Sequence, residues 1–329
     1  MMSNNPEISL LMVARNSENS ILNALRSYTK QTFRNSEIIF VDGLSTDKTK
    51  KLAVEFLSQQ ELPFQILDNP KKNLAAGWNI AIREAKGKYI LRIDAHATIE
   101  KDYVSLALAS LENISSLNVA GIGGVLRNKS TSNFGKYVMD FYCCPFGVGN
   151  SPFRIKSSGV KETDTAVFAI YNKEICIKNN LFNENLKRNQ DIEFHKKLIK
   201  AGYSLYTNYN MVSNYFVRST FTQFCKKAFS DGEWVIRSKN FYLRHIIPLL
   251  FTLYMVFLSA LLIFFSEEES ILLLYLVPLI VYILSCLIFS LQYSKQHMFK
   301  KLGLMPLFFS YHISYGFGSI IGITKLLNY

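Results

Sequence analysis

Two long uncharged apolar runs near the C-terminus constrain this chain more than any other feature. They read IIPLLFTLYMVFLSALLIFF and ILLLYLVPLIVYILSCLIFSL, over 246–265 and 271–291. Because a bilayer-spanning helix needs about 20 consecutive apolar residues, both runs predict transmembrane helices. A third run, 302–323, is diluted by serine, histidine and glycine, and it predicts a weaker span or an interfacial helix. The sequence therefore predicts a membrane domain over 241–329.

The charges around these runs predict the orientation of the rest of the chain. Only the acidic segment SEEES lies between the two runs, whereas basic side chains flank them outside, at Arg237, Lys239, Arg244, Lys295, Lys300 and Lys301. Cytoplasmic flanks of membrane helices accumulate Lys and Arg. We therefore expect a multi-pass protein of the inner membrane whose large N-terminal domain, residues 1–240, faces the cytoplasm.

Composition argues against a nucleic-acid-binding protein and against a metal site built from cysteines. The formal net charge is +12, but the basic residues are dispersed and no nucleic-acid-binding motif accompanies them. This pattern predicts contact with anionic membrane lipid and no nucleic-acid partner. The cysteines have no metal-ligand spacing and are interpreted as small apolar side chains: Cys143, Cys144, Cys176, Cys225 and Cys286.

Residues 1 to about 127 alternate between strand-like and helix-like segments. The apolar runs ISLLMVA, EIIFVDG, FQILDN and KYILRID are separated by segments with helical periodicity. Such a βαβ series predicts an α/β, Rossmann-like domain with a parallel sheet covered by helices on both faces. Ligands bind beyond the carboxyl ends of the strands in such sheets. Polar residues concentrate at those ends, over 14–16, 42–47, 68–73 and 94–96.

The segment from about 128 to 240 is less regular. Residues 128–165 include FYCCPFGVGNSPFRIKSSG, whose glycine, proline and serine content predicts a long loop. The strand-like TAVFAIYN follows, then a helix over 190–201 that ends at Gly202, and then the strand-like YTNYNMVSNYF. The last segment, FTQFCKKAFSDGEWVIRSKNF, mixes aromatic and basic residues as a helix at a lipid surface does.

Asp94 and His96 lie where a buried strand gives way to a loop. Taken alone, the pair would be a capping carboxylate and a packed histidine. However, the segment after the first strand, VARNSENS, contains no glycine-rich cradle for phosphate. A diphosphate ligand at this edge would then need a divalent metal, for which Asp94 and His96 are the predicted ligands. The missing glycines also argue against a nicotinamide-dependent dehydrogenase.

Several motifs in order over 7–235 resemble the inverting glycosyltransferases of family 2, which have the A-type fold. SLLMVARNSENSILNALRSYTKQTF resembles the opening strand and helix, and EIIFVDGLSTDKT resembles the signature V-D-D-G-S-x-D. NPKKNLAAGWNIAIREAKGKYILRIDAHA is similar to the stretch before the Asp-X-Asp metal motif. LFNENLKRNQDIEFHKKLIKAGY resembles the stretch with the catalytic base. The DAHA segment is similar to the membrane-bound bacterial exopolysaccharide transferases of the succinoglycan type.

This resemblance implies a metal-dependent transferase with a nucleotide-sugar half over 7–127 and an acceptor half over 128–240. Asp191 is implied to be the general base and Asp94 to act with the metal. Because imidazole suits manganese better than magnesium, Asp94 and His96 favour Mn²⁺. The resemblance implies contacts with the nucleotide-diphospho-sugar donor from Ala14, Arg15, Asn16, Asp42, Asp47, Asn73 and Asp94.

Two departures from the family pattern shape the functional expectation. Gly43 replaces the second acid of the signature, so recognition of base and ribose is assigned to Asp42, with Arg15 or Asp47 helping. Processive synthases carry Gln-x-x-Arg-Trp, whereas Glu233 precedes the tryptophan here, which favours transfer of a single sugar.

Three functional hypotheses follow. The favoured one is transfer of a sugar to a lipid-linked saccharide in surface or exopolysaccharide assembly. The second keeps the reaction but makes the acceptor a polyprenyl phosphate. The third is a non-catalytic membrane protein that binds nucleotide sugar on an altered transferase domain.

Overall fold

The computed structural model describes residues 5–114, 118–149, 151–154, 157–264 and 269–327, without the side chains of 264, 269–274 and 298. The chain divides into two compact units. We call them the sheet unit, Met1–Asn128 with Pro152–Phe216, and the helical unit, Lys129–Ser151 with Val217–Tyr329.

Four parallel strands form the first half of the sheet unit, in the order β3-β2-β1-β4. They are β1 (Ile8–Ala14), β2 (Ser36–Asp42), β3 (Phe64–Asp68) and β4 (Tyr89–Arg92). The connecting helices are α1 (Ile21–Thr29), α2 (Thr49–Leu57) and α3 (Leu74–Glu84). Every residue of β1 and β2 is buried, as expected for strands covered on both faces. The predicted βαβ series is confirmed.

The second half of the sheet is antiparallel, so the complete sheet is mixed. Beyond β4 the order continues β8-β6-β9-β5, and β7 pairs with β9. These strands are β5 (Ala97–Ile99), β6 (Val119–Lys129), β7 (Val160–Thr163), β8 (Val167–Asn172) and β9 (Ser204–Phe216). The helices among them are α4 (Tyr103–Asn113), α7 (Lys173–Lys178) and α8 (Gln190–Lys200). Strands β8 and β9 and helix α8 were expected from the sequence.

The expected loop over 128–165 is wrong in part, because it contains α5 (Asn133–Tyr142), α6 (Pro145–Val148) and β7. The Ser132 hydroxyl caps α5 by accepting a hydrogen bond from the Gly135 N–H. Pro145 begins α6, where its missing N–H leaves no helical bond unmade. Gly149 follows α6 with a φ of +62°. The glycine and proline residues thus mark helix ends here.

Among its described residues, the rest of the helical unit contains two helices long and apolar enough to cross a membrane. They belong to α10 (Ile247–Phe264) and α11 (Glu269–Tyr293). Their apolar windows, Leu243–Ile263 and Tyr275–Tyr293, are only 17% and 11% buried, whereas a core helix of a soluble protein would be mostly buried. Residue 265, the predicted end of the first span, lies outside the described residues.

The predicted third span is a helix, α13 (Met305–Leu327), preceded by the short α12 (Met298–Lys301). Within the described residues, α13 is not among the helices apolar enough to be a candidate span, so its crossing stays a prediction.

Helix α9 (Phe221–Arg237) packs closely along α13. A Cβ added to Gly318 would lie 2.0 Å from the carbonyl oxygen of Phe229, and one on Gly322 would lie 2.6 Å from that of Glu233. Lys325 also forms a 2.8 Å ion pair with Glu233. The packing therefore joins α9 to the C-terminal helices, whereas the sequence placed the boundary at 240 and assigned this segment to the acceptor half.

Candidate active site

The loops that follow β1 and β2 are joined by hydrogen bonds at the carboxyl edge of the sheet. The Gly43 N–H donates to the Ala14 carbonyl at 2.8 Å. The Asn16 N–H donates to Ser45 Oγ at 3.0 Å, and Asn16 Oδ1 accepts from the Thr46 N–H at 2.9 Å. The predicted donor residues Ala14 and Asn16 thus help to shape a two-loop platform, residues 14–18 and 42–49.

Arg15 lies over Gly43 on this platform and is exposed. A Cβ added to Gly43 would lie 2.9 Å from Arg15 Cβ and 3.3 Å from Arg15 Cδ. The second acid of the family signature could therefore occupy position 43 only if Arg15 moved. A cationic side chain covers the place where the family pattern has a carboxylate.

The acidic side chains of the platform hydrogen-bond to the loops themselves. Asp42 is 1% exposed, and its carboxylate accepts from the Ser45 N–H at 2.9 Å and the Ser45 hydroxyl at 2.6 Å. Asp47 accepts from the Thr49 N–H at 2.9 Å and from the Glu18 N–H at 3.2 Å. Desolvation opposes the charge of Asp47, but hydrogen bonds from Thr49 and Glu18 outweigh it and lower its pKa. Both acids stabilise turns, and their contact with the donor stays a prediction.

Asn73 caps the N-terminus of α3. Its Oδ1 accepts from the Ala76 N–H at 2.7 Å, and its Nδ2 donates to the Glu184 carbonyl at 3.3 Å. A 2.6 Å hydrogen bond from Asn69 Nδ2 to the Asn73 carbonyl holds the same turn. Its predicted contact with the donor is likewise untested.

Asp94 and His96 lie in the turn between β4 and β5. Asp94 is half-buried and His96 is exposed, while Ala95 between them is 5% exposed. The His96 ring contacts Tyr215 edge-on, with 5.4 Å between ring centroids. Within the part of the chain that the structure describes, neither side chain hydrogen-bonds to another protein group.

The two side chains at this turn, Asp94 and His96, suit a metal ion that takes its other ligands from a bound substrate. Among the described residues, no group of three or more His, Cys, Asp and Glu side chains could hold a metal ion. One carboxylate and one imidazole can, however, bind a divalent cation that takes its remaining ligands from a diphosphate and water. Asp94 and His96 therefore fit a metal bound together with the donor and do not fit a structural metal.

Asp191 lies in the first turn of α8 and is paired with a buried arginine. Its Oδ1 is 2.5 Å from Arg92 Nη1, and the two side chains are 38% and 4% exposed, respectively. Desolvation opposes the charge of Asp191, but the Arg92 guanidinium outweighs it and holds the pKa of Asp191 below its usual range. Asp191 is therefore ionised at neutral pH, as a general base must be.

Arg92 is a functional candidate that the sequence interpretation missed. Ile90 packs in the core cluster that contains Trp78, whereas Leu91 and Ile93 pack in the cluster on the other face. Strand alternation then directs Arg92 to the face of Ile90, and its guanidinium lies 5.2 Å from the Trp78 ring centroid. The feature of the sequence that could have revealed it is a basic residue, Arg92, at an inward-facing position of the apolar run KYILRID.

His195 packs in the core one turn after Asp191. It is fully buried, and its Nε2 lies 2.7 Å from the Tyr171 hydroxyl. Burial lowers the pKa of His195 to about 4, so the imidazole is neutral at physiological pH. Of these neighbours, Arg92 rather than His195 supplies the positive charge beside Asp191.

The four parallel strands and the antiparallel extension form the A-type fold of glycosyltransferases. Two solved structures show the same fold. A mannosyltransferase from Pyrobaculum calidifontis in complex with GDP-Man and Mn²⁺ has a TM-score of 0.59 and 15% identity, over 95% of this chain and 88% of that one. S. aureus TarS 1–349 has a TM-score of 0.52 and 16% identity, over 98% and 92%.

The chain belongs to glycosyl transferase family 2, whose model matches residues 9–178. A curated relative from Methanococcus voltae, dolichyl N-acetyl-alpha-D-glucosaminyl phosphate 3-beta-D-2,3-diacetamido-2,3-dideoxy-beta-D-glucuronosyltransferase, is 28% identical over 94% of this chain and 95% of its own length. The succinoglycan biosynthesis protein ExoA from Rhizobium meliloti is 27% identical over 64% of this chain and 62% of its own. The expected family and fold are confirmed.

Proposed function

We propose that this glycosyltransferase moves one sugar from a nucleotide-diphospho-sugar to a lipid-linked saccharide, with inversion, in surface or exopolysaccharide assembly. The reaction takes place at the cytoplasmic face of the inner membrane. The observation that carries the proposal is the pair of largely exposed apolar helices on the same chain as the transferase sheet. Two relatives support it, since their names include a dolichyl-linked sugar and succinoglycan biosynthesis.

The donor binds along the carboxyl edge of β1, β2 and β4. The hydrogen-bonded platform is already ordered there, so little conformational entropy is lost when the nucleotide docks. The exposed Arg15 guanidinium donates hydrogen bonds to the nucleotide, and Asp42 keeps the loop beneath it in place.

A divalent metal held by Asp94 and His96 supplies, when bound, positive charge that offsets the negative charge of the leaving diphosphate. Mn²⁺ is favoured over Mg²⁺ because one of the two donors is an imidazole. The two side chains are available for this role because they hydrogen-bond to no other described group.

Asp191 acts as the general base. Its carboxylate accepts the proton of the acceptor hydroxyl while that oxygen bonds to the anomeric carbon. The bond from the anomeric carbon to the diphosphate oxygen breaks on the opposite face, and its electron pair leaves with the nucleotide diphosphate. A single displacement of this kind inverts the anomeric configuration.

A polyprenyl phosphate acceptor is the second candidate. The observation that favours it is the ion pair of Asp191 with Arg92, which weakens this carboxylate as a base. A phosphate oxygen is already anionic and needs no base. Replacement of Asp191 by Asn separates the two acceptors, because it should slow transfer to a hydroxyl and leave transfer to a phosphate nearly unchanged.

The test is nucleotide diphosphate release by the detergent-purified full-length chain. UDP-, GDP- and dTDP-sugars are supplied with Mn²⁺ and membrane lipid extract, including extract from a strain that lacks the gene and accumulates unfinished acceptor. We expect release from one donor, its loss in Asp94→Asn and its retention in Asp102→Asn, an exposed control at the start of α4. Full release by Asp94→Asn contradicts the proposal. Donor binding without release in every extract supports a non-catalytic binding protein instead.

A further inference from the structure

We propose that Arg92 is the positioning residue of the base: it holds the Asp191 carboxylate in place at the end of β4 and sets its location relative to Asp94. The inference rests on the proposed function, in which Asp191 accepts the proton. It adds to the reaction machinery a charged group that touches neither sugar nor metal.

The first step of the argument is the burial of the Arg92 charge. The side chain is 4% exposed on a strand whose neighbouring residues are apolar. A guanidinium removed from water is costly unless it has a counterion with good geometry. Asp191, at 2.5 Å, is that counterion, so the fold forces the carboxylate to this place.

The second step is the rigidity of the guanidinium. It lies 5.2 Å from the centroids of both the Trp78 ring and the Phe182 ring. Asn79 fixes the Phe182 backbone, because its Oδ1 accepts from the Phe182 N–H at 3.0 Å and its Nδ2 donates to the Phe182 carbonyl at 2.9 Å. The cation that positions the base is therefore itself in contact with two aromatic rings, one on α3 and one whose backbone is hydrogen-bonded to α3.

The third step is that the base stays accessible although it is paired. The 2.5 Å contact joins Oδ1 of Asp191 to Arg92 Nη1, and the Asp191 side chain is 38% exposed. Among the described residues, Oδ2 has no hydrogen-bond donor, so it is the oxygen that can accept the proton. His195 does not compete for the carboxylate, because it is neutral and bonded to Tyr171.

The fourth step is that one strand end connects both sides of the reaction. Arg92 ends β4, and Asp94 follows two residues later. The strand is paired with β1 on one side and β8 on the other, so its end is firmly held. Arg92 thus ties the base to the same backbone that carries the predicted metal ligand.

The test is a double-mutant cycle on the full-length detergent-purified chain, with kcat and donor KM measured separately. The variants are Arg92→Gln, Arg92→Lys, Asp191→Asn and the double variant, with Arg83→Gln as an exposed control on α3. We expect Arg92→Gln to lower kcat by about 10²-fold, within the range for loss of general-base catalysis, and to leave donor KM within about threefold. Arg92→Lys should recover part of the rate, and the double variant should be no slower than Asp191→Asn.

Three results would overturn the inference. One is a wild-type kcat in Arg92→Gln, and another is a loss in the double variant equal to the product of the single losses. The third is a wild-type rate in Asp191→Asn, which leaves the transferase assignment intact if Asp94→Asn is inactive. The unfolding temperature of every variant is measured, to show that it folds. If Arg92→Gln fails to fold, Arg92→Lys decides, because it keeps the charge and loses the planar guanidinium: a lower kcat at unchanged KM supports the inference, and a wild-type kcat refutes it.

Discussion

The ends of strands β2 and β4 lie at the same edge of one sheet, yet their polar residues are used in different ways. After β2, both oxygens of the Asp42 carboxylate accept hydrogen bonds from Ser45. After β4, the side chains of Asp94 and His96 have no hydrogen-bond partner among the described residues. The first group shapes loops, whereas the second is available to a ligand. Position at the strand ends therefore identifies the edge of the site but not the role of each residue.

The sharpest test of this contrast is Asp94→Asn. In the proposed function Asp94 is an anionic metal ligand, and losing it removes charge stabilisation worth several kcal/mol, so we expect turnover to fall on the order of 10²-fold or more. Because the Asp94 side chain forms no hydrogen bond to any residue that the structure describes, thermal unfolding without metal should stay close to that of the wild type. A large drop in unfolding temperature would mean that Asp94 stabilises its loop, as Asp42 does at the end of β2.

Asp42→Asn is the converse test. Asparagine keeps the shape but weakens the bonds to Ser45, and hydrogen bonds to charged groups contribute about 1.5 to 3 kcal/mol each. We expect a fall of that size in the free energy of unfolding by denaturant, together with a higher donor KM. Ser45→Ala is the matched variant. It keeps the N–H bond to Asp42 but loses the hydroxyl bond to Asp42 and the bond that Ser45 Oγ accepts from the Asn16 N–H, so it should lose about 1 to 3 kcal/mol. Unchanged stability in both variants would refute a structural role for this end.

The pH profile tests the third strand-end group, the Arg92 and Asp191 pair. The pKa of Asp191 is held below its usual range, so the base stays ionised until the pH falls through that lowered value. Below it, kcat/KM should drop about tenfold per pH unit. Removing the cation in Arg92→Gln should raise the pKa and move the acid limb to higher pH by about one to three units. The control Arg83→Gln should leave the acid limb in place. An unmoved acid limb in Arg92→Gln would show that the ion pair does not set the pKa of Asp191.

The sequence predicted the parallel half of this fold well, because four apolar runs alternating with helical periodicity have few other solutions. It also predicted α8, with Asp191 in its first turn, because residues 190–201 have a helical pattern that ends at Gly202. It did not predict α5, because the glycines and prolines that mark helix ends are also typical of loops. Arg92 escaped notice because its role depends on contacts with Trp78 and Asp191, which are distant in sequence.

His96→Asp should have the smallest effect, and it sharpens the comparison by restoring the Asp-X-Asp pattern of the family. The imidazole favours Mn²⁺, whereas a second carboxylate is a harder ligand that suits Mg²⁺. We expect the ratio of Mn²⁺-supported to Mg²⁺-supported turnover to fall several-fold, which corresponds to less than about 1.4 kcal/mol of activation free energy. Since His96 is exposed and its ring meets Tyr215 edge-on, the substitution should not change stability. The control is His297→Asp, in the loop before α12. An unchanged metal ratio in His96→Asp would remove this residue from the metal site and leave Asp94 as its protein ligand.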